Sequence, residues 1–256
     1  KKSELSDLLI NLKRIDKRYL GYDLITFYQA RADVDQTAII PSRIYLQTFS
    51  ILKSEIDRYW DAKDNLTNFL KEFVERDVGN AVTTQRKNGR KNNFLPSLQA
   101  LIIRHNLDSF FIDDYAIKDK RNLVKILINM QTTCKLYIHQ YTAMRNEEVL
   151  RIKYNCIKNV DIFESKLEQV SKLRSKKFIG LISTTTKLSG YFREVSWLAP
   201  DAINKGIDVL QAIVKGIAHI LNCSADDLPL FQTVTFITRR NNNNAGKGDG
   251  TWSTVL

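Results

Sequence analysis

Cysteine and histidine each occur only three times in the 256 residues. Cys134, Cys156 and Cys223 are far apart and odd in number. Together with His105, His139 and His219 they form no metal-ligand cluster, which argues against structural zinc and against a disulfide framework. Thiols used this way suit a reducing, cytoplasmic setting. No apolar run approaches the roughly eighteen residues of a membrane span. The opening Lys1-Lys2-Ser3-Glu4-Leu5-Ser6-Asp7 carries no signal pattern and moves directly into an amphipathic segment. Strand-like alternation is missing from the segments up to Val74.

What is present is a globular composition, 43% hydrophobic and 26% charged, long enough for one large or two smaller domains. The net charge is +11 with a pI near 9.5. Because that charge is spread over several segments of a foldable chain, a polyanion is the leading partner, nucleic acid before membrane. A merely basic soluble protein is the competing reading.

Helical periodicity dominates. Leu5, Leu8, Leu9, Leu12, Ile15 and Tyr19 share one face of a first helix, closed by Gly21. Asp23 to Ala32 is a candidate second, short helix. Pro41 and Ser42 open the next, with Tyr45, Phe49, Leu52, Ile56 and Trp60 inward to about Asp61. Leu66, Phe69, Leu70 and Phe73 predict another over 66–74. The polar interval 83–93 is read as an exposed loop centred on Gly89. Its cations Arg86, Lys87, Arg90 and Lys91 either follow a DNA backbone or belong to a solvated linker. Pro96 then opens a helix running to His105, a core-edge residue. A long apolar helix follows from Lys120 to Tyr141, with His139 near its end as a packed or capped core-edge residue.

Beyond an irregular stretch, the cationic Arg174 and Lys176 precede two strand-like runs, 178–183 and 192–198. The intervening residues include Gly190, so a hairpin carrying Lys187 is expected. Pro200-Asp201 starts a further amphipathic helix through Leu221, and 239–250 shows no core pattern.

The organising stretch is Tyr141-Thr-Ala-Met-Arg145-Asn-Glu-Glu148-Val-Leu-Arg-Ile-Lys153. A small-residue turn delivers Arg145 to a helix start, and Glu148 stacks one turn on. Val149, Ile152 and Cys156 continue at helical spacing as an anchor. An arginine so held, beside a helix N-terminus, suits binding of a phosphate. The same spacing is also that of an ordinary surface ion pair.

Thr142-Ala-Met-Arg145-Asn-Glu-Glu148 resembles the first arginine box of the tyrosine recombinase (phage integrase) family. Thr185-Thr186-Lys187 before the aromatic run 192–198 resembles its catalytic-lysine hairpin. Ile40-Pro41-Ser42-Arg43-Ile44-Tyr45 and Ile138-His139-Gln140-Tyr141 resemble a subgroup of large bacterial integrases. The likeness covers about residues 40–232. Two departures stand out: Ala143 replaces the usual glycine, and the second box is missing. No His-x-x-Arg occurs in the chain, and its last tyrosine, Tyr191, lies inside the hairpin. A fragment of a longer recombinase is therefore expected, or a degenerate relative without chemistry.

The resemblance implies a mainly α fold with a small antiparallel sheet. A helical, core-DNA-binding-like region would span 1–115, and the N-terminal portion of a catalytic domain 116–256. It implies strand cleavage through a 3′-phosphotyrosyl link, without ATP or an obligatory metal, so no cofactor is expected. Arg145 would neutralise nonbridging oxygens, Glu148 would brace it, and Lys187 would protonate the leaving 5′-oxygen. Charge alone makes Arg86, Lys87, Arg90 and Lys91 candidate DNA contacts, and Arg174, Lys176 and Arg193 are read as phosphate contacts or surface charges rather than catalysts. The expected partners are double-stranded DNA and, in the full-length protein, further copies forming a tetramer on paired sites.

Overall fold

The computed structural model describes residues 41–159, 178–185 and 193–238. The chain divides into two compact units, Lys1–Tyr45 and Leu46–Leu256. The second holds the core and the residues of interest. It is mainly helical, with a small antiparallel sheet.

Helix α1, Ser42–Lys71, is continuous where two helices are expected from the sequence. The residues joining them, Asp61-Ala-Lys-Asp-Asn65, include neither proline nor glycine, so nothing stops the helical ladder. Its buried stripe runs through Leu52, Ile56, Tyr59, Leu66, Phe69 and Leu70. A short helix, α2, Val82–Lys87, starts just before the interval read as a loop and runs into it. Helix α3, Leu98–Arg104, begins two residues after Pro96 and is capped by Ser97, whose hydroxyl accepts from the Ala100 N–H. A π-helical turn, Ser109–Asp114, buries Phe110 and Phe111. Helix α4, Lys120–Thr142, is capped by Asp119, which accepts from the Asn122 N–H at 2.8 Å. Helix α5, Asn146–Leu150, is short.

The sheet follows. Strand β1 is Ile157–Asn159, β2 is Phe178–Thr185 and β3 is Arg193–Pro200, in spatial order β1-β2-β3 with both pairs antiparallel. The two expected strands are both present, each reaching two residues further at its C-terminal end. Strand β1, inside the stretch read as irregular, is too short to show a period. A 3₁₀ turn, Asp201–Ile203, leads into helix α6, Asn204–Leu221.

Helices α1 and α6 pack face to face. Trp60 donates its indole N–H to Asp208 at 2.9 Å, and Thr67 donates to the Ala212 carbonyl at 3.0 Å. Leu70 meets α6 at Gly216, where a Cβ would lie 2.5 Å from the Leu70 Cβ. The contacts advance together along both helices, so the two run in the same sense. Phe49 of α1 stacks on Tyr137 and lies edge-on to Tyr141 of α4. One apolar core is continuous from Leu52 through α3, α4 and the sheet to Ile237. Among the described residues no helix is long and apolar enough to cross a membrane.

Candidate functional site

The site is built on the junction between α4 and α5. Helix α4 ends in a left-handed residue, Ala143 (φ 51°, ψ 23°), whose N–H bonds the His139 carbonyl at 3.1 Å. This conformation closes a helix and favours glycine. A glycine would suit this position, and Ala143 holds the conformation under strain. Two side chains hold the turn. Thr142 donates to the Ile138 carbonyl at 2.8 Å, and His139 donates from Nδ1 to the Met144 carbonyl at 2.9 Å. A carbonyl can only accept, so Nδ1 carries the hydrogen. Burial pushes the His139 pKa down from its ordinary value, the Met144 carbonyl acting against that shift and Lys135 adding to it. His139 is a half-buried residue at the helix end, and its ring holds the turn through the Met144 carbonyl. Met144 is buried beneath the turn.

Arg145 follows in extended conformation as the N-cap of α5. Its guanidinium has no acceptor, so it cannot itself cap the helix. The reciprocal contact comes from Glu148. One carboxylate oxygen, Oε2, accepts the backbone N–H of Arg145 at 2.8 Å; the other, Oε1, accepts the Thr185 hydroxyl at 2.7 Å. Ser183 donates to the Glu148 carbonyl at 2.5 Å. All three of Glu148, Ser183 and Thr185 are buried, whereas Arg145 is exposed.

The i,i+3 spacing predicts that Glu148 braces the Arg145 side chain. Its carboxylate instead fixes the main chain of Arg145 and ties it to β2. Among the described residues, no carboxylate lies within ion-pair distance of the Arg145 guanidinium. The anchor Val149, Ile152 and Cys156 is buried as expected, but only Val149 is helical. The chain leaves α5 after Leu150, and Ile152 accepts the Leu230 N–H in an extended segment. With only five residues, α5 adds little helix dipole, so the site rests on the guanidinium itself.

Strand alternation shapes the neighbouring face. On β2 the inward residues run Ile179, Leu181, Ser183, Thr185, apolar at one end and hydroxylic where they meet Glu148. The Thr185 hydroxyl provides one of the hydrogen bonds that the buried carboxylate requires, and the Ser183 hydroxyl bonds the Glu148 main chain. Opposite them on β3 stand Ala199, Trp197, Val195 and Arg193, the last paired with Thr185. Arg193 is exposed. The structure thus gathers Arg145, Glu148 and Arg193 around one end of the sheet. Lys187 belongs to the connection between β2 and β3 and, like Arg174, Lys176 and the 239–250 segment, lies outside the described residues.

The basic interval 82–95 is organised separately around Gln85, which is fully buried. Its amide donates to the Asn80 and Leu95 carbonyls, and its Oε1 accepts the Leu95 N–H at 2.9 Å. Arg90 is half-buried and pairs with Glu75 at 2.7 Å, with Asp77 at 3.8 Å, and donates to the Asn93 carbonyl. These bonds make Arg90 a staple of the loop rather than a cation facing solvent. Arg86 lies over the Phe94 ring, and Arg86, Lys87 and Lys91 are exposed.

Ser183, Thr185 and Gln85 are absent from the sequence-based candidates. The switch from Ile179 and Leu181 to Ser183 and Thr185 at period two was a readable sign for the first pair. Nothing local distinguished Gln85. Burial pushes the Cys156 thiol up to about 12 and the Cys134 thiol higher still, which makes both poor nucleophiles. Among the described residues no group of histidines, cysteines and carboxylates could hold a metal ion.

Comparison of the chain with protein-family models, with curated proteins and with solved structures yields no match.

Proposed function

We propose that this chain supplies the first half of the phosphate-handling site of a tyrosine-type site-specific DNA recombinase. The observation carrying this reading is the bond between Glu148 and Thr185. It joins the Arg145 turn to the end of β2, two residues before Lys187, the two elements that the family resemblance assigns to one active site. The antiparallel β2–β3 pair and the helices around it support the same reading, as does the exposure of Arg145 on a braced main chain.

In the full-length protein a tyrosine oxygen would attack the scissile phosphorus, forming the P–O bond of a 3′-phosphotyrosyl link as the P–O5′ bond breaks. Arg145 would neutralise charge on the nonbridging oxygens, which needs no metal ion when guanidinium groups supply it. Glu148 would hold Arg145 in place. The Lys187 ammonium would pass its proton to the departing 5′-oxygen, a contribution on the order of 10²–10⁴ in rate. Reversal onto another strand would rejoin the DNA. Homotetramer formation on paired sites belongs to this proposal.

The chain has neither a His-x-x-Arg box nor a tyrosine after Tyr191. It is accordingly expected to bind duplex DNA without cleaving it, the behaviour also of a non-catalytic DNA-binding relative. Titration of a labelled duplex over a salt series tests the binding. The expected result is a linear loss of log affinity with log salt, with a slope of about −0.9 for each phosphate neutralised. Salt-independent or undetectable binding would reject the proposal. A protein containing this chain plus a downstream His-x-x-Arg and tyrosine separates the two readings. There Arg145→Ala should abolish cleavage of a nicked suicide substrate and leave most binding intact.

A further inference from the structure

We infer that Arg193 is a second cation for the same DNA phosphate that Arg145 engages, so that the two guanidinium groups form a clamp across the end of the sheet. The inference rests on the DNA-binding reading above and extends it to a residue outside the arginine box.

The geometry runs through three short links. The Arg145 N–H lies 2.8 Å from one oxygen of Glu148, and the Thr185 hydroxyl lies 2.7 Å from the other. Thr185 is the register partner of Arg193. Directly opposed residues of an antiparallel pair project from the same face, with Cβ atoms about 4.5–5.5 Å apart. Arg193 therefore ends an inward-facing row that is otherwise apolar: Ala199, Trp197, Val195, then Arg193. It ends that row on the side where Glu148 anchors the Arg145 turn.

Among the described residues, two exposed cations stand at this end of the sheet beside one buried carboxylate. Glu148, the carboxylate between the two arginines, is buried with both oxygens accepting hydrogen bonds. Glu194 falls on the opposite face by alternation. Glu147 lies 4.0 Å from Arg151. Arg145 and Arg193 are both exposed, and among the described residues neither forms an ion pair. Each carries a planar fork that fits two oxygens of a phosphodiester. Two forks at one edge of the sheet, one on the turn that Glu148 anchors and one opposite its hydroxyl partner Thr185, suit a single phosphate better than two separated by a base-pair step.

Salt dependence distinguishes one shared phosphate from two. The 256-residue chain and its R145A, R193A, R86A, R145A/R193A and R145A/R86A variants are titrated with one duplex across a salt series. Far-UV circular dichroism and melting confirm that the exposed substitutions leave the fold intact. Loss of both clamp arginines should flatten the log–log slope by about one, while each single loss changes it by clearly less. Affinity losses for Arg145 and Arg193 should depart from multiplying by more than about twofold. Arg86, on a separate element, should multiply with Arg145. An unchanged slope and affinity in R193A would overturn the clamp and leave binding through Arg145 standing. So would a flattening of about two in R145A/R193A. Wild-type slope and affinity in R145A would remove both the clamp and the assignment of Arg145 to the DNA surface.

Discussion

The hydroxyl of Thr185 donates to the carboxylate of Glu148 across 2.7 Å, joining two residues 37 positions apart. Through the other carboxylate oxygen, the same side chain holds the Arg145 main chain. A buried carboxylate that bonds two elements in this way makes each sensitive to the other.

Thr185→Val and Glu148→Gln should each destabilise the protein by about 1–3 kcal/mol, because each leaves a buried polar group short of a partner. Urea denaturation of both single variants and the double variant measures the coupling. Strictly additive losses would mean that the two side chains act independently.

Ala143 occupies the left-handed region at φ 51°. Replacing it with glycine removes a steric cost of about 1 kcal/mol, partly offset by the greater freedom of the unfolded chain. Ala143→Gly should raise the urea midpoint, and Ala143→Val should lower it by more than the glycine gain. A destabilised glycine variant would show that the turn has some other constraint.

His139 gives the turn a pH dependence of definite sign. Burial lowers its folded pKa below the ordinary 6.5. As pH falls through 6.5 the unfolded chain takes up the proton first, so stability is lost progressively toward the lower folded pKa. At neutral pH and above the contribution is fully present. The difference in stability between wild type and His139→Asn should shrink over that acidic interval. An imidazole titration followed by NMR at or above 6.5 would contradict the assignment.

Helix α6 approaches α1 closely at Gly216. A Cβ there would stand 2.5 Å from the Cβ of Leu70, which neither helix can yield without moving. Gly216→Ala should cost about 1–3 kcal/mol by overpacking, read as a fall in melting temperature. Adding Leu70→Ala should recover part of the overpacking loss despite the cavity it opens, and the two changes should be non-additive.

The periodic elements were legible because their apolar spacing is long and regular. Helix α4, helix α6 and the two long strands all lie where the pattern predicts them. Helix α1 exceeded its prediction because a short polar interval looks the same whether the helix pauses or continues. The tripeptide β1 and the six-residue π-helical turn carry too few residues to show any period. Arg90 read as an exposed cation because its partners, Glu75 and Asp77, stand more than ten positions away.

What the sequence determined by itself is the class of the fold, the basic character of the chain, and the residue types at the Arg145 turn. Those follow from composition and from local chemistry at fixed spacing. Only the tertiary structure decided what Glu148 does. Spacing of three residues permits an ion pair with the Arg145 guanidinium or a bond to its backbone N–H, and local sequence does not choose between them. Burial against β2 chooses, because a carboxylate removed from water needs donors at both oxygens, and the Thr185 hydroxyl and the Arg145 N–H provide them.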